Sequence, residues 1–374
     1  MKYLYTLIIC MACCQAGANA QSNGGFFGKV KDVFSNEIKI GTYTFKDGST
    51  YTGEIGKGKP NGKGKTLFKN GDVYEGEYVK GKREGYGVYT LFDGERYEGD
   101  WIQDQRHGKG IVYFVDNNRY EGLWFMNSRQ GMGRMYYHNG DYYIGNWEKN
   151  LREGEGTYVW KNGTKYVGEW KDDRKSGKGL MVWNDGSRYE GQWKNDARNG
   201  QGTFEYAEGD KYVGEFENDL QHGKGTFFFG SGDRYEGSYL HGTRTGRGSF
   251  FDVNGDTYIG NFKDGLPDGK GVFTWASGTK YDGYWVNGVR SGYGIYQWSN
   301  GDIYDGQWNN DQPNGEGKLI LSDGSKYEGT FIDGLKDGKG VETDKEGNTF
   351  EGNFKQGRRD GPFLQKDKNG KIVK

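Results

Sequence analysis

The chain contains four histidines, the side chains best suited to bind a metal or act as a general base near neutral pH: His107, His138, His222 and His241. His107 and His222 occupy the same position of a pattern that recurs every 23 residues, but they lie five repeats apart. At about 4.8 Å per strand and two strands per repeat, that separation is roughly 48 Å. The other two histidines occupy different positions. The spacing supports no shared metal site and no Ser–His–Asp arrangement, so we predict no catalytic, metal or cofactor site.

The other candidate catalytic groups are cysteines and carboxylates. Cys10, Cys13 and Cys14 all lie within the first twenty residues, in a segment typical of a cleaved leader. The recurring glutamates form one column on the polar side of a strand pattern, and we interpret them as a solvated face: Glu75, Glu98, Glu121, Glu190, Glu236 and Glu328. The sequence therefore predicts a protein without enzymatic activity.

Glycines spaced by one residue, as in Gly108-Lys109-Gly110, resemble fragments of a phosphate-binding loop. No helical pattern follows them, and a phosphate loop needs a helix N-terminus. A basic residue stands between the glycines in half of the repeats, and this row could attract anionic lipid headgroups. Cation–π packing or simple solubility would explain the row equally well. Its members are Lys63, Lys109, Lys178, Lys224, Arg247, Lys270 and Lys339.

These residues are placed by a strict repeat. Tyr-x-Gly recurs fourteen times at a spacing of 23 residues, from Tyr51 to the last copy, in which Phe350 replaces the tyrosine. No insertion or deletion interrupts the series. A fixed period of this length indicates a stacked array in which each repeat mainly contacts its neighbours.

Each repeat has the pattern of a hairpin. Counting the repeat tyrosine as position 0, position 2 is glycine and position 4 is aromatic in every repeat except the first, which has Ile55. This alternation predicts a strand with one apolar face. Position 7 is always Gly, Asn or Asp, which predicts a left-handed turn residue. An Asn-Gly or Asp-Gly dipeptide later in the repeat predicts a second turn. We favour a three-residue loop with a G1 bulge there, because it pairs the next tyrosine with an apolar position.

The tryptophans at position 4 form the most apolar part of the array. Two interpretations are open: the rings cover the strand glycines, or they form an exposed surface that binds a partner or a second copy of the chain. We expect self-association, because a thin sheet with one apolar side gains most by burying that side. The candidate interaction surface is Trp101, Trp124, Trp147, Trp170 and Trp193.

The pattern Tyr-x-Gly-x-Trp-x-x-Gly/Asp-x-x-x-Gly-x-Gly resembles the MORN (membrane occupation and recognition nexus) repeat. The resemblance covers residues 51–372, and residues 41–50 look like the second half of a truncated repeat. It implies an all-β fold, an elongated single antiparallel sheet of about fourteen tandem 23-residue hairpins. At about 4.8 Å per strand the sheet would span roughly 130 Å. The family is associated with phospholipid binding and membrane-junction scaffolding, although many such arrays act through protein contacts.

The N-terminus predicts export. Residues 1–20 combine Lys2, an apolar run and the sequence Ala18-Asn19-Ala20, as in a secretory signal cleaved after Ala20. A lipid anchor at Cys13 is the alternative. Residues 21–40 are expected to be a linker or a capping segment, with a short amphipathic stretch at 26–34. The repeat array would then occupy residues 51–374 of a periplasmic, outer-envelope or secreted protein.

Charge narrows the choice of partner. The formal net charge is −1 and no continuous basic stripe is present, which excludes the usual nucleic-acid binders. Three functions stay open. The leading one is a non-enzymatic exported scaffold that binds a protein or itself. The alternatives are a module that binds anionic phospholipid at a membrane surface and a binder of cell-wall glycan.

Overall fold

The protein forms one open, entirely antiparallel β-sheet. The computed structural model describes residues 38–373, and these contain 29 strands joined in a single sheet. Every strand pairs with the strand before it and the strand after it in the chain, from the first ladder to the last. The predicted all-β sheet of tandem hairpins is confirmed. The predicted signal segment and the amphipathic stretch at 26–34 lie outside the described residues.

The strands alternate between seven and nine residues after a shorter first strand. They are β1 Lys39–Thr44, β2 Thr50–Gly56, β3 Lys59–Leu67, β4 Val73–Val79, β5 Lys82–Thr90, β6 Arg96–Ile102, β7 Gln105–Tyr113, β8 Arg119–Phe125, β9 Ser128–Tyr136, β10 Tyr142–Glu148, β11 Leu151–Val159, β12 Lys165–Lys171, β13 Arg174–Val182, β14 Arg188–Lys194, β15 Ala197–Glu205, β16 Lys211–Glu217, β17 Leu220–Phe228, β18 Arg234–Leu240, β19 Thr243–Phe251, β20 Thr257–Lys263, β21 Leu266–Thr274, β22 Lys280–Val286, β23 Val289–Gln297, β24 Ile303–Asn309, β25 Gln312–Ile320, β26 Lys326–Ile332, β27 Leu335–Thr343, β28 Thr349–Lys355 and β29 Arg358–Lys366.

The first turn of each repeat is a two-residue loop. Between β12 and β13, Asp172 has φ 49° and Asp173 has φ 65°. Positive φ at both central residues defines a type I′ turn, whose twist matches that of the flanking strands. Position 7 has positive φ in all fourteen repeats, from Gly58 to Gly357. The predicted left-handed position is confirmed, and the residue before it shares the conformation.

The second turn is the bulged loop that the facing pattern predicted. Between β3 and β4, the amide of Phe68 donates to the Asp72 carbonyl at 2.9 Å, and the amide of Gly71 donates to the Phe68 carbonyl at 3.0 Å. Gly71 has φ 92°, as a G1 bulge requires. In the resulting register Tyr74 lies opposite Thr66, which occupies the apolar column. The prediction of a three-residue loop is confirmed.

A second irregularity lies inside every repeat. Along the ladder between β12 and β13, Gly168 pairs with Gly179, but the next ring, Trp170, pairs with Lys175. The longer strand thus contains two extra residues at this point, including Gly177 with φ 56°. This bulge brings position 9 of the longer strand back to the face that carries the tyrosine and the tryptophan.

The core is built on glycine pairs that leave room for a tyrosine. A Cβ added at Gly179 would lie 2.5 Å from the Tyr166 ring, and one added at Gly168 would lie 2.5 Å from the Gly179 Cα. The ring therefore lies flat against bare backbone, and its hydroxyl donates to the Glu169 carbonyl at 2.9 Å. Tyr166 is fully buried. Burial likewise raises the pKa of the equivalent Tyr189 to about 12.

Neighbouring repeats are joined by an unbroken line of ring contacts. Tyr166 contacts Trp170 of its own repeat at 5.3 Å between centroids and Trp193 of the next repeat at 5.4 Å, both edge-to-face. The same alternation continues from Tyr51 to Phe354. Edge-to-face pairs are the favoured aromatic geometry, so the core is one layer of interlocking rings.

Candidate interaction surfaces

The five tryptophans that the sequence offered as an exposed surface are buried. Trp101, Trp124, Trp147, Trp170 and Trp193 are only 3–5% exposed. Four of them also donate an indole N–H to a glycine carbonyl of the preceding strand, at 3.2–3.4 Å. The expectation of a solvent-facing tryptophan surface is therefore wrong, because these rings pack within the chain. The reason for expecting self-association through them no longer holds.

A row of cations that the sequence reasoning missed covers these rings. At position 9, Arg152 places its guanidinium carbon 4.2 Å from the centroid of Trp170 in the next repeat. Its Nε donates to Oδ1 of Asp173 at 3.0 Å, its Nη2 to the Asp173 carbonyl at 2.7 Å, and its backbone amide to Oδ1 at 2.8 Å. The side chain of Arg152 is only 18% exposed. We call this arrangement the junction clamp, because it joins position 9 of one repeat to position 7 of the next.

The clamp follows a pairing rule that can be read in the sequence. Wherever position 7 is Asp or Asn, position 9 of the preceding repeat is Arg or Lys, and its backbone amide donates to the side-chain oxygen: Arg83–Asp104, Arg106–Asn127, Arg129–Asn150, Arg152–Asp173, Lys175–Asp196, Arg198–Asp219 and Arg290–Asp311. Where position 9 is proline, which has no N–H to donate, position 7 is glycine: Pro60–Gly81, Pro267–Gly288 and Pro313–Gly334.

Two clamps use asparagine and therefore lack a carboxylate. Arg129 lies 4.3 Å from the Trp147 centroid and donates through Nη2 to the Asn150 carbonyl at 2.8 Å. Burial lowers the pKa of Arg129, and that of Arg106 in the neighbouring asparagine clamp. These guanidiniums are held by the ring face and the carbonyl rather than by an opposite charge.

The basic row proposed for lipid binding lies on the opposite face of the sheet. All seven residues, Lys63, Lys109, Lys178, Lys224, Arg247, Lys270 and Lys339, are exposed. Carboxylates lie directly beside the row: Asp100 accepts the Lys109 backbone amide at 2.9 Å, and Glu169 accepts that of Lys178 at 2.8 Å. The cations that cover the rings thus belong to another column, and the face that carries the basic row has mixed charge.

The glutamate column forms surface ion pairs. Arg119 contacts Glu121 at 2.9 Å, and Arg188 contacts Glu190 at 2.6 Å, both between residues two apart on one strand. Arg96 and Glu98 form the same pair. Such exposed pairs contribute little to stability, so this column is a solvated surface, as the repeat pattern indicated.

One aliphatic surface opposite the tyrosines lies on β7–β10. Ile111, Leu123, Met132 and Ile144 line a shallow depression, which we call the β7–β10 patch. Leu123 is 39% exposed and Met132 is 53% exposed. Exposed aliphatic side chains gathered at one place on a sheet face are typical of a binding surface rather than of a solvated one.

A family model describes the array. The model for the MORN repeat matches residues 40–50 and then fourteen successive units of the chain, 51–73 through 350–362. The chain belongs to the MORN repeat family. MORN repeats occur in protein-binding and membrane-associated repeat proteins. No helix among residues 38–373 is long and apolar enough to span a membrane.

Comparison with other proteins adds no functional information to the MORN assignment. No match was found among curated proteins. The solved structures with some similarity include the SAS-4 (dCPAP) TCP domain of Drosophila melanogaster in complex with a proline-rich motif of Ana2, at 12% identity and TM-score 0.22, covering 57% of this chain and 99% of that one. A mutant TCP10 domain of CPAP from Danio rerio has 15% identity and TM-score 0.20, covering 59% of this chain and 98% of that one. At these scores neither carries an argument about function.

Two of the MORN array's histidines meet, which the sequence reasoning excluded. His222 and His241 come from adjacent repeats and their ring centroids are 5.4 Å apart. Glu217 joins them, with its Oε2 3.3 Å from the Nδ1 of His222. Histidines at the same repeat position are far apart, whereas the two that meet are nineteen residues apart in the sequence. At this spacing, a side chain at position 10 reaches the residue at position 6 of the next repeat, as the Glu84 carboxylate accepts the backbone amide of Gln103 at 2.9 Å.

Proposed function

We propose that this protein is a non-enzymatic scaffold that binds a protein partner through the β7–β10 patch. The observation that carries the proposal is the contrast between the two faces. On one face the rings near this region are buried beneath clamps, whereas on the other Leu123 and Met132 are exposed beside the half-buried Ile111 and Ile144. The 29-strand sheet would hold this surface at a fixed place along an extended body.

The charges around the patch favour a partner with acidic residues. Lys109 and Arg134 line the same depression as the four aliphatic residues, and both are exposed. The one carboxylate of the depression, Glu121, is already held by Arg119 at 2.9 Å. The patch therefore suits a protein segment that presents aliphatic side chains flanked by acidic residues, because both the apolar and the electrostatic contacts would be complementary.

The lipid alternative is less well supported. A surface that binds anionic lipid needs an excess of cations, whereas the exposed basic row alternates with Asp100, Glu169 and similar carboxylates. Export remains part of the proposal on the strength of residues 1–20 alone, and it would place the scaffold in the envelope or outside the cell.

Site-specific photocrosslinking tests the proposal in cells that produce the protein. A photoreactive residue at Met132 should crosslink one protein, and the purified partner should then bind the full chain. Replacing Leu123 and Met132 together by glutamine should weaken that binding at least tenfold, which is about 1.4 kcal/mol. Glutamine occupies the same two positions at Gln192 and Gln201, so the sheet accommodates it.

The matched control replaces Gln192 and Gln201 by alanine, three repeats further along the same two columns. This change should leave binding unaltered. Equal crosslinking from positions all along the face, or equal loss of binding in the control, would refute a localised patch. Binding to phosphatidylserine vesicles that survives the Leu123/Met132 change and disappears with salt would instead support the lipid alternative.

A further inference from the structure

The junction between Gln221 and Gly242 lacks the clamp that secures the preceding six. The amide of Gly242 still donates to the Gln221 carbonyl at 2.8 Å, but no guanidinium or ammonium group stands at position 9 and no carboxylate at position 7. The next residue after Gln221 is His222, and the residue before Gly242 is His241. The two histidines therefore flank a junction at which the cation of position 9 is missing.

Three ligand atoms converge at this junction. One imidazole nitrogen from each histidine and one carboxylate oxygen from Glu217 all lie within 4.8 Å of one another. Nδ1 of His222 is buried and has no hydrogen-bond partner among the described residues. Its nearest acidic neighbour is Oε2 of Glu217, 3.3 Å away. Glu217 ends β16, His222 lies in β17 and His241 lies in the turn after β18, so the cluster joins two successive hairpins.

Two imidazoles and one carboxylate form a ligand set that Zn²⁺ prefers. Zinc bonds to nitrogen and oxygen are about 2.0–2.2 Å, which places tetrahedral ligands roughly 3.4 Å apart. Oε2 of Glu217 and Nδ1 of His222 are already 3.3 Å apart. His241 and Glu217 are exposed, so rotation of their side chains can close the remaining gap without moving the strands. Three protein ligands leave a fourth position for water or for an atom of a partner.

We propose that Glu217, His222 and His241 bind a Zn²⁺-class divalent cation that ties the two hairpins together at this junction, which lacks a clamp. The bound ion does for this junction what Arg152 and Asp173 do elsewhere, because it holds position 10 of one repeat against position 6 of the next. The proposal is independent of the protein-binding patch, which lies on β7–β10.

Calorimetric titration of the untagged, chelator-treated full chain with ZnCl₂ tests the site. One equivalent should bind, and His222→Gln and His241→Asn should each weaken binding at least tenfold. Neither change disturbs the fold, because Gln130 occupies the position of His222 in another repeat and Asn287 occupies that of His241. Asparagine also tolerates the positive φ of 48° at His241.

The matched control is His107→Gln, which removes a histidine from the same position of a repeat whose junction is clamped by Arg106. Zinc affinity should not change. Hydrogen exchange provides a second readout: zinc should slow exchange of the amides in β17 and β18 at least tenfold and leave β12 and β13 unaffected. Absence of binding, or an equal loss in the His107 variant, would overturn the site and leave Glu217 and His222 as a simple surface contact.

Discussion

The clamped and unclamped parts of the array share one continuous line of stacked rings but differ in the side chains that cover it. From Arg83 to Asp219, six successive junctions have a clamp. After Asp219 the structure shows one, between Arg290 and Asp311. The tyrosine–aromatic line continues through both parts without interruption. The comparison indicates that ring stacking and glycine pairing define the fold, whereas the clamp adjusts how firmly one repeat is held to the next.

The largest expected effect comes from removing a ring in each part. Trp170→Ala and Trp285→Ala should each destabilise their surroundings by about 3–5 kcal/mol. Both rings touch two tyrosines edge-to-face, but only Trp170 is covered by an arginine. Loss of Trp170 should therefore cost about 1 kcal/mol more. Native-state hydrogen exchange measures the local opening free energy in the flanking strands. If both substitutions lower the local opening free energy equally, the contact between Arg152 and the Trp170 ring contributes nothing to stability.

An intermediate effect is expected from the arginines themselves. Arg152→Ala should lower the local opening free energy by about 1–2 kcal/mol, because two side-chain hydrogen bonds and a ring contact are lost. Arg244 is the matched control, since Gly265 replaces the aspartate at its junction and its guanidinium carbon lies 5.9 Å from the Phe262 centroid. Arg244→Ala should cost less than half as much by the same exchange measurement. A larger loss at Arg244 would contradict the role assigned to the clamp.

The smallest expected effect is an increase in local stability. Installing a clamp by combining Pro313→Arg with Gly334→Asp should stabilise the β25–β26 junction by about 0.5–1 kcal/mol, the value of a well-oriented exposed ion pair. Gly334 has φ 81°, and aspartate occupies the equivalent position in other repeats. Gly334→Asp alone should give no gain, because Pro313 has no amide hydrogen to donate. If the single change stabilises β25 and β26 as much as the double change, the pairing rule is incorrect.

The repeat pattern predicted most of the fold because its determinants are local. Positive φ at position 7 follows from the Gly, Asn and Asp found there, and the bulged second turn follows from the facing of Tyr74 and its neighbours. The stacking of rings over glycine follows from the same alternation. Each of these features depends on residues within one hairpin.

The clamp and the histidine cluster were missed because they depend on pairs of residues in different repeats. Position 9 contains Arg, Lys, Pro and Gln, and looks irregular until the residue 21 positions later is placed beside it. The burial of Trp147 was not predicted either, because a single-layered sheet is expected to leave one apolar face exposed to solvent. The inner bulge between β8 and β9 brings Arg129 back over that side, and no column of the alignment shows the bend.

The order of the strands determines how the protein would respond to tension. Every strand pairs with its neighbours in the chain, so residues 38 and 373 lie at opposite ends of the sheet. A pull on the two ends acts along the hydrogen bonds between strands and loads one ladder at a time, which is a peeling geometry. Each released repeat of 23 residues adds about 80 Å of chain, from roughly 3.3–3.6 Å per residue. A protein anchored at both ends would lengthen in steps under load and act as an extensible tether between the objects it joins.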